Sequence, residues 1–365
     1  MGLYLGLMSG TSMDAIDATL VDFSVTPLRM VAASATAFDA GLKQRIASLS
    51  ECAQVPLDEL GQLDVALARA FAQASNHLLR SAGVSPGAVT AIGSHGQTVR
   101  HRPDLPLPFT LQIGDPNTLA EMTGITVVAD FRRRDLAAGG QGAPLLPVFH
   151  DNVFRSDDED RAIVNLGGIG NVTILNRDAT VTGFDTGPGN RLLDAWIAEH
   201  QGRDFDENGD WAATGRCDPT LLQQLLNDPY FSLLPPKSTG RELFNMPWLR
   251  GNLGLFERRP QDVQATLLEF TAASVAAAVL QYAPGASLYV CGGGARNRGL
   301  LAAIARRVAP NPVASTEELG LDPDFVEAVA FAWFAQRTLA GLTSSAASVT
   351  GARGARILGG VYRYA

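Results

Sequence analysis

Two stretches of this 365-residue chain follow one plan, and no other feature limits its fold so strongly. Near the N-terminus, Tyr4-Leu5-Gly6-Leu7-Met8 runs through a small-residue turn, Ser9 to Asp14, into an alternating stretch that carries Ile16, Ala18, Leu20 and Phe23. Near the middle, Ala162-Ile163-Val164-Asn165 passes through Leu166-Gly167-Gly168-Ile169-Gly170-Asn171 into Val172-Thr173-Ile174-Leu175. Apolar alternation on both sides of a glycine-bearing turn predicts a β-hairpin in each place. A true internal repeat reproduces the order of elements as well as one turn. In the first half, Asp58 to Ser81 predicts a helix with apolar Leu60, Leu63, Leu67, Phe71, Leu78 and Leu79, then a strand Val89 to Ile92 and a turn Gly93 to Gln97. In the second, Val263 to Tyr282, Ser287 to Cys291 and Gly292 to Asn297 repeat helix, strand and turn, and a further helix Arg298 to Val308 follows. The chain reads as a duplicated α/β unit.

The halves differ by an insertion, Gln201 to Gln261, rich in Asp, Pro and Arg, which reads as loops with short helices. Between them, Phe131 to Pro144 combines charge with Gly139, Gly140 and Gly142 and reads as an interdomain linker, hinge or functional loop. Phe270 to Ala295 carries no formal charge and is long enough to span a bilayer. Pro284-Gly285 and three consecutive glycines interrupt it, so it reads as a buried helix, a turn and a strand. With 46% hydrophobic and 18% charged residues the chain has the means to fold. Its net charge of -8 disfavours nucleic acid as a partner, and of its 29 basic residues only Lys43 and Lys237 are lysines. Three cysteines and five histidines form no metal-ligand spacing. The start lacks a basic n-region, and a cytoplasmic enzyme is the expectation.

Phosphate chemistry is suggested by the turns. Gly10-Thr11-Ser12-Met13-Asp14 brings backbone N–H groups and two hydroxyls to a hairpin tip, where Asp14 is placed to hold a hydrated Mg²⁺; the same residues also make an ordinary turn. Gly167-Gly168 at the second hairpin tip strengthens the phosphate reading. A third turn, Gly183 to Asn190, enters the helix Arg191 to Glu199 with Asn190 at its N-cap and with Gly187 and Gly189 exposing donors to an anion. Asp185, at the end of a strand Thr180 to Phe184, is positioned to take a proton from a nucleophile. No lysine follows a glycine, so a P-loop is excluded, and Gly168 to Thr173 fails the dinucleotide fingerprint. Polar clusters at Ser94 to Thr98, Gln112 to Pro116 and Asp130 to Asp135 follow strand-like runs and are candidate acceptor contacts or plain loops. Glu327 opens an apolar helix one turn before Phe331 and is either near a pocket or a first-turn carboxylate.

Six ordered motifs, Leu5 to Asp17, Gly93 to Thr98, Val128 to Asp135, Asn165 to Asn171, Asp185 to Asn190 and Cys291 to Asn297, make the sequence resemble the anhydro-N-acetylmuramic acid kinase family, part of the acetate and sugar kinase, chaperone ATPase and actin superfamily. The resemblance covers essentially the whole chain. It implies two duplicated actin-like (ribonuclease H-like) domains with an interdomain ATP cleft, the first formed by residues 1–130 with a tail of about 345–365, the second by 131–344. It implies that Gly10, Thr11, Ser12, Met13, Asp14, Ala15, Ile16 and Asp17 form the ATP-binding motif. Ala15 replaces an expected glycine, a small change that leaves phosphate approach intact. Gly167, Gly168, Gly187 and Gly189 would hold phosphates, and Gly292, Gly293 and Asn297 the adenosine. Asp185 would be the general base; Glu327 is a candidate second catalytic carboxylate, and Arg132 to Arg134 or the loop of His95, Gly96 and Gln97 are the candidate contacts for the sugar's lactyl carboxylate.

The implied reaction uses ATP and Mg²⁺. A water activated by Asp185 attacks the anomeric carbon of the anhydro sugar while its 6-oxygen receives the γ-phosphoryl group. A homodimer is a family expectation. The rival readings are a plain sugar kinase and a nucleotide-gated chaperone or filament-like protein; the second would need a peptide-binding domain or assembly tail that this sequence does not display.

Overall fold

The first hairpin forms as its alternation predicts: β1 (Leu3–Ser9) and β2 (Ala15–Asp22) pair antiparallel from Leu3 opposite Asp22 to Ser9 opposite Ile16. A computed structural model describes every residue except Met1, Thr11, Ser12, Asp14, Ala53, Arg241, Glu242, Leu255 and Phe256. The further strands are β3 (Arg29–Ala37), β4 (Val89–Ser94), β5 (Gln97–Arg102), β6 (Phe109–Ile113), β7 (Val127–Ala129), β8 (Arg161–Leu166), β9 (Ile169–Leu175), β10 (Thr182–Pro188), β11 (Ser287–Cys291), β12 (Val313–Ser315) and β13 (Gly360–Tyr362).

The chain divides into two units, Met1–Phe149 with Phe325–Ala365, and His150–Asp324. In the first, the sheet order is β13-β7-β4-β1-β2-β3; in the second it is β10-β9-β8-β11-β12. Without β13 the two orders correspond strand for strand. Each opens with an antiparallel meander, β1-β2-β3 or β8-β9-β10, and continues from its first strand through two parallel neighbours. The repeat read from the sequence is therefore a repeat of topology. The helices Leu57–Ser81 and Pro260–Tyr282 occupy the same place in each copy, after the third strand and before the fourth. Pro260–Tyr282 is long and apolar enough to cross a membrane, and most of it is buried in the second unit's core.

In the first unit, Leu5 and Leu7 join the apolar cluster of Leu63, Leu67 and Phe71 from Leu57–Ser81. On a pleated strand Gly6, between them, faces the other way. There the helix Val326–Leu339 lies directly against the sheet: a Cβ on Gly6 would stand 1.8 Å from the Ala328 carbonyl oxygen, and one on Gly93 would stand 1.9 Å from that of Phe331. Only glycine permits this approach.

The helix Val326–Leu339 also moves the domain boundary. Residues 325–344, assigned to the second domain from the sequence, belong to the first unit because this helix packs on β1 and β4. Residues 131–149 move with them. The fully buried Asp135 carboxylate accepts the Gly142 N–H at 2.8 Å and the Thr350 hydroxyl at 2.8 Å, and Gln141 N–H reaches the Thr350 carbonyl at 2.9 Å. Of the two readings the sequence allows for Gly139, Gly140 and Gly142, a hinge or a packed turn, the structure has the packed turn, closed on Asp135.

Gly6→Ala is expected to lose about 1–3 kcal/mol or more by overpacking. Gly61→Ala, inside Leu57–Ser81 with nothing within 4 Å of its added Cβ, is expected to gain about 0.5–1 kcal/mol from helix propensity. Urea-unfolding midpoints of the two variants, moving in opposite directions, check both.

Candidate active site

The first unit's hairpin tip closes with Met13 N–H on the Gly10 carbonyl at 3.2 Å. Met13 holds a left-handed backbone, φ 55°, while its side chain is buried in the core. Any nucleotide contact from Met13 is thus a backbone contact. Ala15, Ile16 and Asp17 are already strand, and Ile16 is buried. Thr11, Ser12 and Asp14, the residues expected to carry hydroxyl and Mg²⁺ chemistry, lie outside the described residues.

Gln97 supports this tip. Its Oε1 accepts the Ser9 hydroxyl at 2.5 Å and its Nε2 donates to the Gly10 carbonyl at 3.3 Å, with the residue itself buried. Gln97, expected to contact the sugar, has its amide hydrogen-bonded to this hairpin turn. His95 and Arg132 do come together. Arg132 donates from Nε and Nη2 to His95 Nε2 at 3.1 and 3.0 Å, and from Nη1 to the Gly142 carbonyl at 2.9 Å. His95 Nε2 is therefore the acceptor, which puts the ring's proton on Nδ1. The His95 ring lies 4.8 Å from that of Phe331, one helical turn beyond the partly exposed Glu327. Burial first, then the Arg132 charge, push the His95 pKa well below its ordinary value. Gly96 (φ +73°) makes the bend, and a Cβ there would meet the Ile113 carbonyl at 2.6 Å. Asp115 proves to be a helix cap, its carboxylate accepting the N–H groups of Asn117 and Thr118.

In the second unit the glycines pack against one another. Gly189, Asn190 and Arg191 donate their N–H groups to the carbonyls of Gly168, Gly167 and Gly168 at 3.0, 2.8 and 3.3 Å. The sequence expected these donors to be open to an anion at the helix start; they are spent on the hairpin instead. Asn190 makes no side-chain cap, and its amide reaches the Leu166 carbonyl at 3.0 Å. What stays open is the tip: a Cβ on Gly167 would meet only the Ile169 carbonyl, at 3.6 Å, and one on Gly293 only Asn190 Nδ2, at 3.9 Å. Gly292, with φ +78° and a Cβ that would stand 2.4 Å from Asn165 Oδ1, ties the turn after β11 to β8. Asn297 caps the helix Arg298–Val308 through its side-chain oxygen.

Asp185 lies within β10, which runs to Pro188 and not to Phe184. The insertion, whose purpose the sequence left open, grips it. Tyr230 Oη donates to the Asp185 carbonyl at 2.6 Å, Asp185 N–H donates to the Lys237 carbonyl at 3.2 Å, and Thr239 N–H donates to Asp185 Oδ2 at 2.9 Å. Phe231 covers Gly187 (φ +138°), where a Cβ would come within 2.9 Å of its ring. Burial, then the Asp185 charge, raise the Tyr230 pKa, so this hydroxyl remains a donor.

The repeated sheets with their glycine-bearing hairpins define the class, an actin-like protein of two ribonuclease H-like units. The family model of anhydro-N-acetylmuramic acid kinase matches residues 2–364, and the chain belongs to that family. It is 53% identical over 365 residues to the anhydro-N-acetylmuramic acid kinase of Xanthomonas oryzae pv. oryzae strain MAFF 311018, covering 99% of this chain and 97% of that one. It is 51% identical over 362 residues to that of Coxiella burnetii strain Dugway 5J108-111, covering 98% and 97%. Component A of the Acidaminococcus fermentans (R)-2-hydroxyglutaryl-CoA dehydratase is similar in fold, with TM-score 0.51 and 11% identity over 93% of this chain and 100% of that one. The family membership makes this chain a kinase.

His95, His101 and His150 are all held neutral by burial, His101 with a pKa near 4 and His150 near 3. Folded pKa values below the unfolded value mean that the unfolded chain binds the extra protons, so this stability is present above about pH 6.5 and is lost as pH falls toward 4. At pH 5 His101 and His150 are each expected to cost about 2 kcal/mol. Urea unfolding at pH 7 and pH 5 reads the loss, and His150→Gln should shallow the pH slope.

Proposed function

We propose that the chain transfers the γ-phosphoryl group of ATP to the 6-oxygen of 1,6-anhydro-N-acetylmuramic acid and opens the bridge with water, giving N-acetylmuramic acid 6-phosphate and ADP. The observation that carries this reading is the Asp185 carboxylate, oriented by the Thr239 N–H, on β10, whose last residues pair with β9 beside the Gly167-Gly168 tip. Asp185 takes a proton from water as its oxygen bonds to the anomeric carbon; the bond from that carbon to the 6-oxygen breaks, and the freed oxygen takes the phosphoryl group. Phosphoryl transfer asks chiefly for positioning and for donors aimed at developing charge, which glycine tips supply without a P-loop lysine. Gly167, Gly168 and the Gly10–Asp17 segment are proposed for the phosphates, Gly292, Gly293 and Asn297 for the adenosine, and Glu327 as a second carboxylate. Arg132, held on a neutral His95, suits the lactyl carboxylate of the sugar.

Among the described residues no three acidic, His or Cys side chains gather to cage a metal. The proposal takes a hydrated Mg²⁺ to arrive with the triphosphate, with Asp14 its protein partner through water. The ion's contribution is to neutralise phosphate charge. The substrate's internal 1,6 bond on a muramic acid places the reaction in the recovery of peptidoglycan fragments. A cytoplasmic homodimer accompanies the proposal, and light scattering reads the dimer directly.

Asp185→Asn is expected to lower kcat by about 10²–10⁴-fold while calorimetry shows ATP affinity little changed; turnover near wild type would place the base elsewhere. In ¹⁸O-water, mass spectrometry should find solvent oxygen on the anomeric carbon of the product, whereas a plain sugar kinase would leave none there. Arg132→Ala should raise the KM for the sugar about 10-fold or more, the worth of a charge-assisted hydrogen bond, and an unchanged KM would remove it from the acceptor site.

A further inference from the structure

The insertion brings one of the chain's two lysines to Asp185, in a protein that uses arginine for the other 27 of its 29 basic residues. Lys237 sits with its Nζ 4.7 Å from the centroid of the Tyr230 ring and 5.8 Å from that of Phe184, and it donates to the Tyr230 carbonyl at 3.3 Å. The negative face of an aromatic ring attracts an ammonium most where water is scarce. Lys237's own carbonyl accepts the Asp185 N–H, and two residues on Thr239 N–H reaches the Asp185 carboxylate. The segment therefore runs along the outer edge of β10, the last strand of its sheet, and engages Asp185 at both main chain and side chain.

We propose that Lys237 is a positioning residue for the reaction: its ammonium, seated on the Tyr230 ring, supplies the positive charge that keeps Asp185 a carboxylate, while the 237–239 backbone fixes the direction in which that carboxylate points. This rests on Asp185 being the base. Among the described residues of the packed segment 228–239, the titratable groups are Tyr230, Lys237 and Asp228. Tyr230 stays protonated, and Asp228 turns away, accepting Trp248 Nε1–H and the Tyr230 N–H, so Lys237 is the cation of the set. Burial lowers the Lys237 pKa and the Asp185 charge raises it, the reciprocal sign of the same coupling. A compact ammonium, with one of its N–H donors on Tyr230, fits the space between two rings where a planar guanidinium would have to stack.

The experiment compares wild type, Lys237→Met, Lys237→Arg and Asp185→Asn in steady-state kinetics with Mg-ATP and anhydro-N-acetylmuramic acid from pH 5 to pH 9. Lys237→Met is expected to move the acid limb of kcat/KM upward by about half a unit or more, the direction expected when a neighbouring cation is removed. Its kcat should fall about tenfold with the KM for ATP within about twofold. Lys237→Arg should return the limb toward wild type, which a merely structural lysine would not require. An unshifted limb in Lys237→Met, with Asp185→Asn inactive, overturns this proposal alone. Turnover retained in Asp185→Asn overturns the base assignment and this one with it.

Discussion

Backbone laid on backbone, with no side chain between, is the constraint on which both units depend. In the first, Gly6 and Gly93 bring two strands against the carbonyls of Val326–Leu339. In the second, a Cβ on Gly189 would stand 2.2 Å from the Gly167 carbonyl, and Gly292 and Gly294 press on Leu166. Contacts this close leave little freedom for relaxation, because neither partner has a rotamer to change. The glycines that suggested phosphate binding thus have two distinct jobs. Some lock sheet to helix or hairpin to turn, and others, Gly167 and Gly293 among them, have open space around them.

The sequence reveals the elements and their duplication, since periodicity and turn residues are local properties. The two hairpins appear where the alternation of Leu5, Leu7, Val164 and Val172 puts them. Asp185 stands out because glycine and proline follow it in a pattern with chemical meaning. Three features were hidden because they arise from contacts distant in the chain. Val326–Leu339 returns to the first unit, Asp135 is closed by Thr350, and the N–H groups after Gly187 are consumed by the carbonyls of Gly167 and Gly168. No spacing rule reports where a donor's partner will be.

The insertion is the clearest case. Read alone, Gln201 to Gln261 is a polar, proline-rich detour. Folded, its Tyr230, Phe231, Lys237 and Thr239 surround three residues of β10. An edge strand with a buried carboxylate needs something to satisfy its outward N–H and C=O groups and to exclude water from its acid. The added segment meets both needs at one place. The duplicated unit supplies the sheet, and the part that breaks the duplication supplies the grip on the proposed base.

Because residues 1–149 and 325–365 build the first unit on either side of 150–324, its sheet is completed only after the second unit has been made. A ribosome releases β1 to β7 well before the helix that covers Gly6 and Gly93 and before β13, whereas residues 150–324 emerge as one uninterrupted run. The second unit, begun later, has all of its pieces first. The earlier-made sheet waits with one apolar face uncovered, the kind of surface that draws chaperones to a nascent chain.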